Sequence, residues 1–171
     1  IDDKTTEEYY KNNYVCAKHI LLMTQNEKTG EPMTDKEKAQ VKKKAEEILK
    51  KLKGGASFDK LMEEYSEDPG SKSNPDGYVF TKGEMVSEFE KSAFELEEGK
   101  LSDIVQTQYG YHIIKKEALP PITDNLKSTI NNIFISEKLS EIASGVKKEI
   151  KIPLADIYDE ITPAEYKVSE K

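Results

Sequence analysis

Histidine occurs twice in 171 residues, and each copy opens a short apolar run: Ala17-Lys18-His19-Ile20-Leu21-Leu22, and Tyr109-Gly110-Tyr111-His112-Ile113-Ile114. One such residue reads as a hydrogen-bonded core group, but two in near-identical settings point to a shared site. Cys16 and His19 have a spacing that suggests zinc. Residues three apart on a strand point to opposite faces, however, and two histidines without a cysteine pair supply too few ligands. Neither a metal nor another cofactor is expected. A histidine base acting on a serine nucleophile lacks a Gly-x-Ser-x-Gly elbow, and Cys16 faces away from His19.

A third chemistry needs no nucleophile. Rotation about an X-Pro amide faces a barrier of about 18–20 kcal/mol set by resonance, and the twisted transition state is less charge-separated than the planar amide. Catalysis then requires a dry pocket for the proline ring and polar groups that favour the twisted form. Apolar and aromatic side chains beside two histidines and a carboxylate would meet that requirement.

The surrounding pattern supplies elements to hold such a site. Residues 5–13 read as a short helix with a threonine cap, and 15–23 as the first strand. Thr24 to Met33, containing Gly30 and Pro32, reads as a loop. Thr34-Asp35-Lys36-Glu37 is a capping box, and Val41, Ala45, Ile48, Leu49 and Leu52 follow with helical spacing up to Gly54-Gly55. A second helix starts at Ser57, with Phe58, Leu61, Met62 and Tyr65 on one face, and stops before Asp68-Pro69-Gly70. Asn74-Pro75-Asp76-Gly77 is turn chemistry, Tyr78 to Thr81 a strand, and Ser87 to Phe94 a helix. Ser102 to Thr107 and Tyr111 to Lys116 read as a hairpin turning at Tyr109-Gly110. Pro120-Pro121 marks a boundary. Beyond it Leu126, Ile130, Ile133, Leu139, Ile142, Val146 and Ile150 predict one long or broken amphipathic helix, followed by a weakly patterned tail from 152 to 171. The order of elements predicts an α+β domain over residues 14–118, with flanks at 1–13 and 119–171.

Composition narrows the function classes. Charged residues make up 35% of the chain and the net charge is -7, which disfavours nucleic acid as a partner. All 26 basic residues are lysine, so the forked donor suited to phosphate recognition is missing. No apolar run approaches the roughly 18–20 residues that cross a bilayer, and the opening residues are no signal peptide. The single cysteine, Cys16, has no internal partner for a disulfide.

Five blocks in order carry a resemblance. They are Ala17 to Leu22; Ser57-Phe58-Asp59-Lys60-Leu61 with Tyr65-Ser66-Glu67-Asp68; Gly83-Glu84-Met85-Val86-Ser87-Glu88-Phe89; Gly99-Lys100-Leu101-Ser102-Asp103; and Thr107 to Ile114. Together, over about residues 15–117, they resemble the parvulin family of peptidyl-prolyl cis/trans isomerases. The resemblance implies a small, mostly antiparallel sheet surrounded by helices. It implies that His19 and His112 sit back to back beneath the active site, orienting a polar network more than shuttling protons. Asp68 would lie next to the twisting amide, at a position that is cysteine or aspartate in the family; by itself it reads equally well as a residue ending a helix before Pro69. Met85 and Phe89 match the pocket for the substrate proline, and also suit an ordinary core at helical spacing. Thr107 and Tyr109 match strand-end positions flanking His112.

One block departs from the family. Where parvulins commonly carry Gly-Gly-Asp-Leu-Gly, this chain has Asn74-Pro75-Asp76-Gly77-Tyr78, so a gap-free count places Gly77 at the pocket leucine and Tyr78 beside it. That change is the best support for an alternative, a catalytically weak parvulin-fold chaperone that only binds clients. The loop from Thr24 to Met33 offers Lys28 and two glutamates where phosphate-requiring members carry an arginine-containing loop, so no phosphate requirement is expected. The flanking helices resemble those of extracytoplasmic foldases, the PrsA-like lipoproteins of Gram-positive bacteria. The expected partners are proline-containing unfolded or exported polypeptides, together with a second copy of the chain through the helical flanks. The chain is expected to be part of a longer, membrane-anchored protein.

Overall fold

The computed structural model describes residues 2–26 and 29–149, so Lys28 and the 152–171 tail lie outside the described residues. Nine elements follow in order: α1 (Asp3–Asn13), β1 (Tyr14–Met23), α2 (Asp35–Lys53), α3 (Phe58–Tyr65), β2 (Tyr78–Thr81), α4 (Ser87–Glu95), β3 (Val105–Gln106), β4 (Gly110–Glu117) and α5 (Asp124–Glu149). The four strands form one antiparallel sheet in the order β2-β1-β4-β3. This is the expected α+β arrangement. The chain divides into two compact units, Ile1–Thr123 and a second beginning at Asp124, close to the Pro120-Pro121 boundary.

Helix ends follow local chemistry. The Thr34 hydroxyl accepts from the Glu37 N–H while the Glu37 carboxylate accepts from the Thr34 N–H, so both halves of the capping box form. Lys50, Lys51 and Lys53 in the last turn of α2 complement its C-terminal dipole. The N-terminal helix differs from expectation: its cap is Asp2, whose carboxylate accepts from Thr5 N–H at 2.7 Å, so α1 starts earlier than a threonine cap would allow. An aspartate cap also places a negative charge at the positive end of the helix.

Alternation along β1 and β4 divides the core in two. Ile20 and Leu22 of β1, with Tyr111 and Ile113 of β4, pack against Ala45, Ile48, Leu49 and Leu52 of α2 and Phe58, Leu61 and Met62 of α3. On the opposite face Val15, Ala17 and Ile114 meet Phe80 of β2 and Phe89 and Ala93 of α4.

The hairpin is shorter on one side than its sequence suggests, with β3 reduced to Val105–Gln106. Ser102 explains the shortening: its N–H donates to the Ile114 carbonyl at 2.8 Å while its hydroxyl accepts from the Ile114 N–H at 2.9 Å. A side-chain oxygen thus takes the place of a ladder carbonyl, and regular pairing stops there. The last helix also departs from expectation. It runs unbroken to Glu149 without a single apolar stripe, because at about 100° per residue Leu126, Ile130 and Ile133 fall on one side and Ile135, Leu139 and Ile142 on the other.

Candidate active site

The histidines are brought together by strand register. β1 pairs with β4 so that His19 lies opposite Ile114 and Leu21 opposite His112, which makes the two histidines diagonal neighbours on one face. Their ring centroids are 5.3 Å apart, and Phe89 of α4 meets both rings edge-on, at 5.1 Å and 5.5 Å. Behind them, Thr107 Oγ1 lies 2.9 Å from His112 Nε2 and accepts from the Tyr109 N–H. Both Nδ1 atoms are buried without a hydrogen-bond partner among the described residues. Burial pushes the pKa of His112 down to about 4, helped by the neighbouring His19. Burial also lowers that of His19, against an opposing pull from Asp68. At neutral pH the pair is uncharged, and its contribution is shape and hydrogen bonding.

Asp68 reaches this floor through an edge contact. Helix α3 ends at Tyr65, where the Ser66 N–H bonds to the Met62 carbonyl, so Asp68 belongs to the following loop and does not end the helix. Ser66 and Glu67 then dock on β1 beyond the end of β2. The Glu67 N–H donates to the Leu21 carbonyl at 2.8 Å, the Leu21 N–H to Ser66 Oγ at 3.2 Å, and the Met23 N–H to Glu67 Oε2 at 2.6 Å. The Asp68 carboxylate accepts from Tyr78 OH at 2.6 Å and Ser71 Oγ at 3.0 Å on Oδ2, and from the Gly70 N–H at 3.3 Å on Oδ1. His19 Nε2 lies 3.4 Å from Oδ2. Burial by itself raises the pKa of Asp68. The Tyr78 hydroxyl, His19, Ser71 and the Gly70 N–H outweigh it and hold the carboxyl below its ordinary value. Attraction to His19 counts only when the imidazole is protonated, so at neutral pH the hydrogen bonds carry this effect. Tyr78 in turn is pushed up to about 12, first by burial and then by Asp68, and is a phenol that donates.

Above this floor lies a cavity of about 430 Å³ lined by His19, Asp68, Tyr78, Met85, Phe89, Tyr109 and His112, all named from the sequence. Thr107, also named, is buried behind His112 and acts on it from outside the cavity. Leu21, Met23, Pro69, Glu84 and Val86 complete the lining and were not foreseen. Strand alternation carried the signal for two of them, since Leu21 and Met23 share the face of His19. The altered block resolves simply. Gly77 has φ +101°, and a Cβ there would stand 2.9 Å from the Ala17 carbonyl oxygen, so no side chain can fill the leucine position. Tyr78 supplies that wall instead, its ring stacked on His19 at 5.6 Å and 23°. Among the described residues no group of three or more His, Cys, Asp or Glu could hold a metal ion.

An uncharged histidine pair and a fixed carboxylate beneath an apolar cavity, on a β2-β1-β4-β3 antiparallel sheet, define a parvulin-type domain. The rotamase family described as the PPIC-type PPIase domain matches residues 19–118, and the chain belongs to it. It is 40% identical over 167 residues to the foldase protein PrsA of Geobacillus sp. strain WCH70, covering 93% of this chain and 54% of that protein. Among solved structures it resembles PrsA from Bacillus subtilis, at 34% identity and TM-score 0.50 over 90% of this chain and 56% of that one. It also resembles the peptidyl-prolyl isomerase ESS1 from Candida albicans, at 26% identity and TM-score 0.51 over 67% and 71% of the two chains. The chain spans about half the length of the curated relatives it matches.

Proposed function

We propose that this chain catalyses cis/trans isomerisation of X-Pro bonds in exported polypeptides as they fold, with no phosphate requirement. The observation that carries the reading is the Asp68 carboxylate, held by Tyr78, Ser71 and the Gly70 N–H in the lining of an apolar cavity. A planar amide places partial negative charge on its oxygen, and twisting the C–N bond removes much of it. A fixed carboxylate near that oxygen therefore disfavours the planar ground state relative to the twisted transition state, which is differential binding. Met85, Phe89 and Leu21 would hold the proline ring while the neutral histidines and Thr107 keep the floor in shape.

The resemblance to extracytoplasmic foldases supports a place outside the cytoplasm on a lipid anchor. Among the described residues no helix is long and apolar enough to cross a membrane. Exposed Ile135, Leu139 and Ile142 on α5 support self-association through the helical flanks.

The test is exchange NMR or a protease-coupled assay on an Ala-Pro peptide, in which catalytic amounts of the chain accelerate isomerisation. A matched phosphoserine-Pro peptide should show no large advantage. Suppressed aggregation of an unfolded client without any acceleration would replace this reading with the binding-only chaperone.

A further inference from the structure

We propose that Tyr78 is a positioning residue of the isomerase site: its hydroxyl anchors Asp68 Oδ2 and fixes the direction in which that carboxylate faces the cavity. The inference rests on the isomerase reading above.

Of the groups around Asp68, Tyr78 OH lies closest, at 2.6 Å, against 3.0 Å for Ser71 Oγ, 3.3 Å for the Gly70 N–H and 3.4 Å for His19 Nε2. A hydrogen bond to an ionised acceptor is stronger than one between neutral groups, and the shortest of a set does most to fix orientation. The ring and the hydroxyl of Tyr78 act separately. Stacking on His19 and filling the wall need only the ring, which phenylalanine would also provide. The hydroxyl serves the carboxylate.

The backbone on both sides of this contact accommodates it. Gly77 lets the chain lie against the Ala17 carbonyl, which delivers Tyr78 into register opposite Ala17 at the start of β2. Across the loop, a Cβ at Gly70 would overlap the Tyr78 hydroxyl, so a residue without a side chain keeps the path to Asp68 open. Gly70 does not have a positive φ, so this clearance distinguishes glycine from alanine there. Two glycines and one tyrosine thus form a unit that the usual Gly-Gly-Asp-Leu-Gly block would not build.

Removing the hydroxyl leaves Oδ2 with Ser71 and His19, and the carboxylate free to swing toward them. The other ionisable groups facing it are His112 of β4 and Glu84 before α4 across the cavity. On the side of the adjoining groove they are Lys18 of β1, Asp59 and Glu63 of α3, and Lys72 and Asp76 of the loop. Lys18 is already committed to Asp59 at 2.8 Å. Among the described residues no other phenol and no lysine is bonded to Asp68 to take over from Tyr78.

The experiment compares Tyr78→Phe, Gly70→Ala, Asp68→Asn and the double variant Asp68→Asn with Tyr78→Phe, alongside an NMR titration of the Asp68 carboxyl carbon. Tyr78→Phe should lower kcat roughly tenfold, the size expected when a hydrogen bond to a charged group is lost. KM should stay within about twofold because the ring still lines the cavity. Gly70→Ala should change kcat in the same direction, and in the Asp68→Asn background Tyr78→Phe should have little further effect. The Asp68 titration midpoint should move upward in Tyr78→Phe. Wild-type kcat with an unmoved Asp68 titration would overturn the proposal, as would a full-sized loss in the Asp68→Asn background. If the wild-type chain does not isomerise at all, the isomerase reading fails, while the titration still decides whether Tyr78 anchors Asp68.

Discussion

The two faces of the sheet are built from the same two strands and have opposite characters. Under α2 and α3, Ile20, Leu22, Tyr111 and Ile113 are sealed into a continuous apolar core by a helix of 19 residues and another of 8. Under α4, of 9 residues, Val15, Ala17 and Ile114 are packed away, and Phe89 reaches on to the rings of His19 and His112. There His19 and the buried Leu21 and His112 line a cavity. The difference is one of filling and polarity: the same alternation gives a dry apolar core where the long helix lies across it and a cavity floored by two histidines beside the short one. Polar groups on the α4 side are tolerated because Asp68, Thr107, Tyr78 and Ser71 bond to one another or to the histidines.

Three experiments can break or sharpen this contrast. The largest effect is expected on the sealed face, where Ile48→Ala should destabilise the fold by about 2–5 kcal/mol through lost burial and a residual cavity. Per folded molecule, isomerase activity should be retained. Urea unfolding with an activity titration separates the two quantities, and an activity loss beyond the unfolded fraction would show that the faces are coupled.

Next comes pH. His112 titrates at about 4 in the folded state, against 6.5 for the ordinary imidazole. As pH falls, the unfolded chain takes up this proton first. The stability associated with a neutral His112 is therefore complete above about pH 6.5, declines below it, and is lost by about pH 4, up to about 3 kcal/mol in all. His19, shifted in the same direction, adds to the decline. Asp68, whose pKa is lowered, contributes stability above its unfolded value that is lost only on further acidification. Urea midpoints at pH 7, 5.5 and 4.5 should fall in sequence. A flat profile would mean that the open face admits charged histidine, contrary to the uncharged floor described here.

The smallest effects lie within the site and differ in kind. Asp68→Ala should lower kcat about tenfold per folded molecule, while Met85→Ala, on the cavity wall, should mainly raise KM by a fewfold. Steady-state kinetics on an Ala-Pro peptide distinguishes them. Equal behaviour of the two variants would remove the division between a polar floor and an apolar grip.

Much of this is legible in the sequence. The Thr34 and Glu37 pairing, the helical spacing of Ala45, Ile48, Leu49 and Leu52, and the apolar runs around His19 and His112 each follow from short-range rules. Of the missed features, one comes from longer range. Ser102 interrupts β3 because its hydroxyl meets Ile114, twelve residues away. The Asp2 cap of α1 is local, a bond to Thr5 three residues on, and Asp2 is as good a cap residue as the threonine. Helix α5 lacks a single stripe for a local reason too, since the two-residue step from Ile133 to Ile135 moves the apolar positions to the opposite side.

The amino-acid order by itself determined which residues could do chemistry: two histidines, Asp68, and the apolar set of Met85 and Phe89. The apolar runs around the histidines follow from local periodicity, while Asp68, Met85 and Phe89 are marked only by the ordered blocks that resemble the parvulin family. Tertiary structure decided how these residues come together. The antiparallel register of β1 and β4 makes His19 and His112 diagonal neighbours. Docking of Ser66 and Glu67 on β1 brings Asp68 to them, and the clearance at Gly70 and Gly77 admits Tyr78. Contacts between residues many positions apart depend on how strands pair and loops close, which no local periodicity specifies.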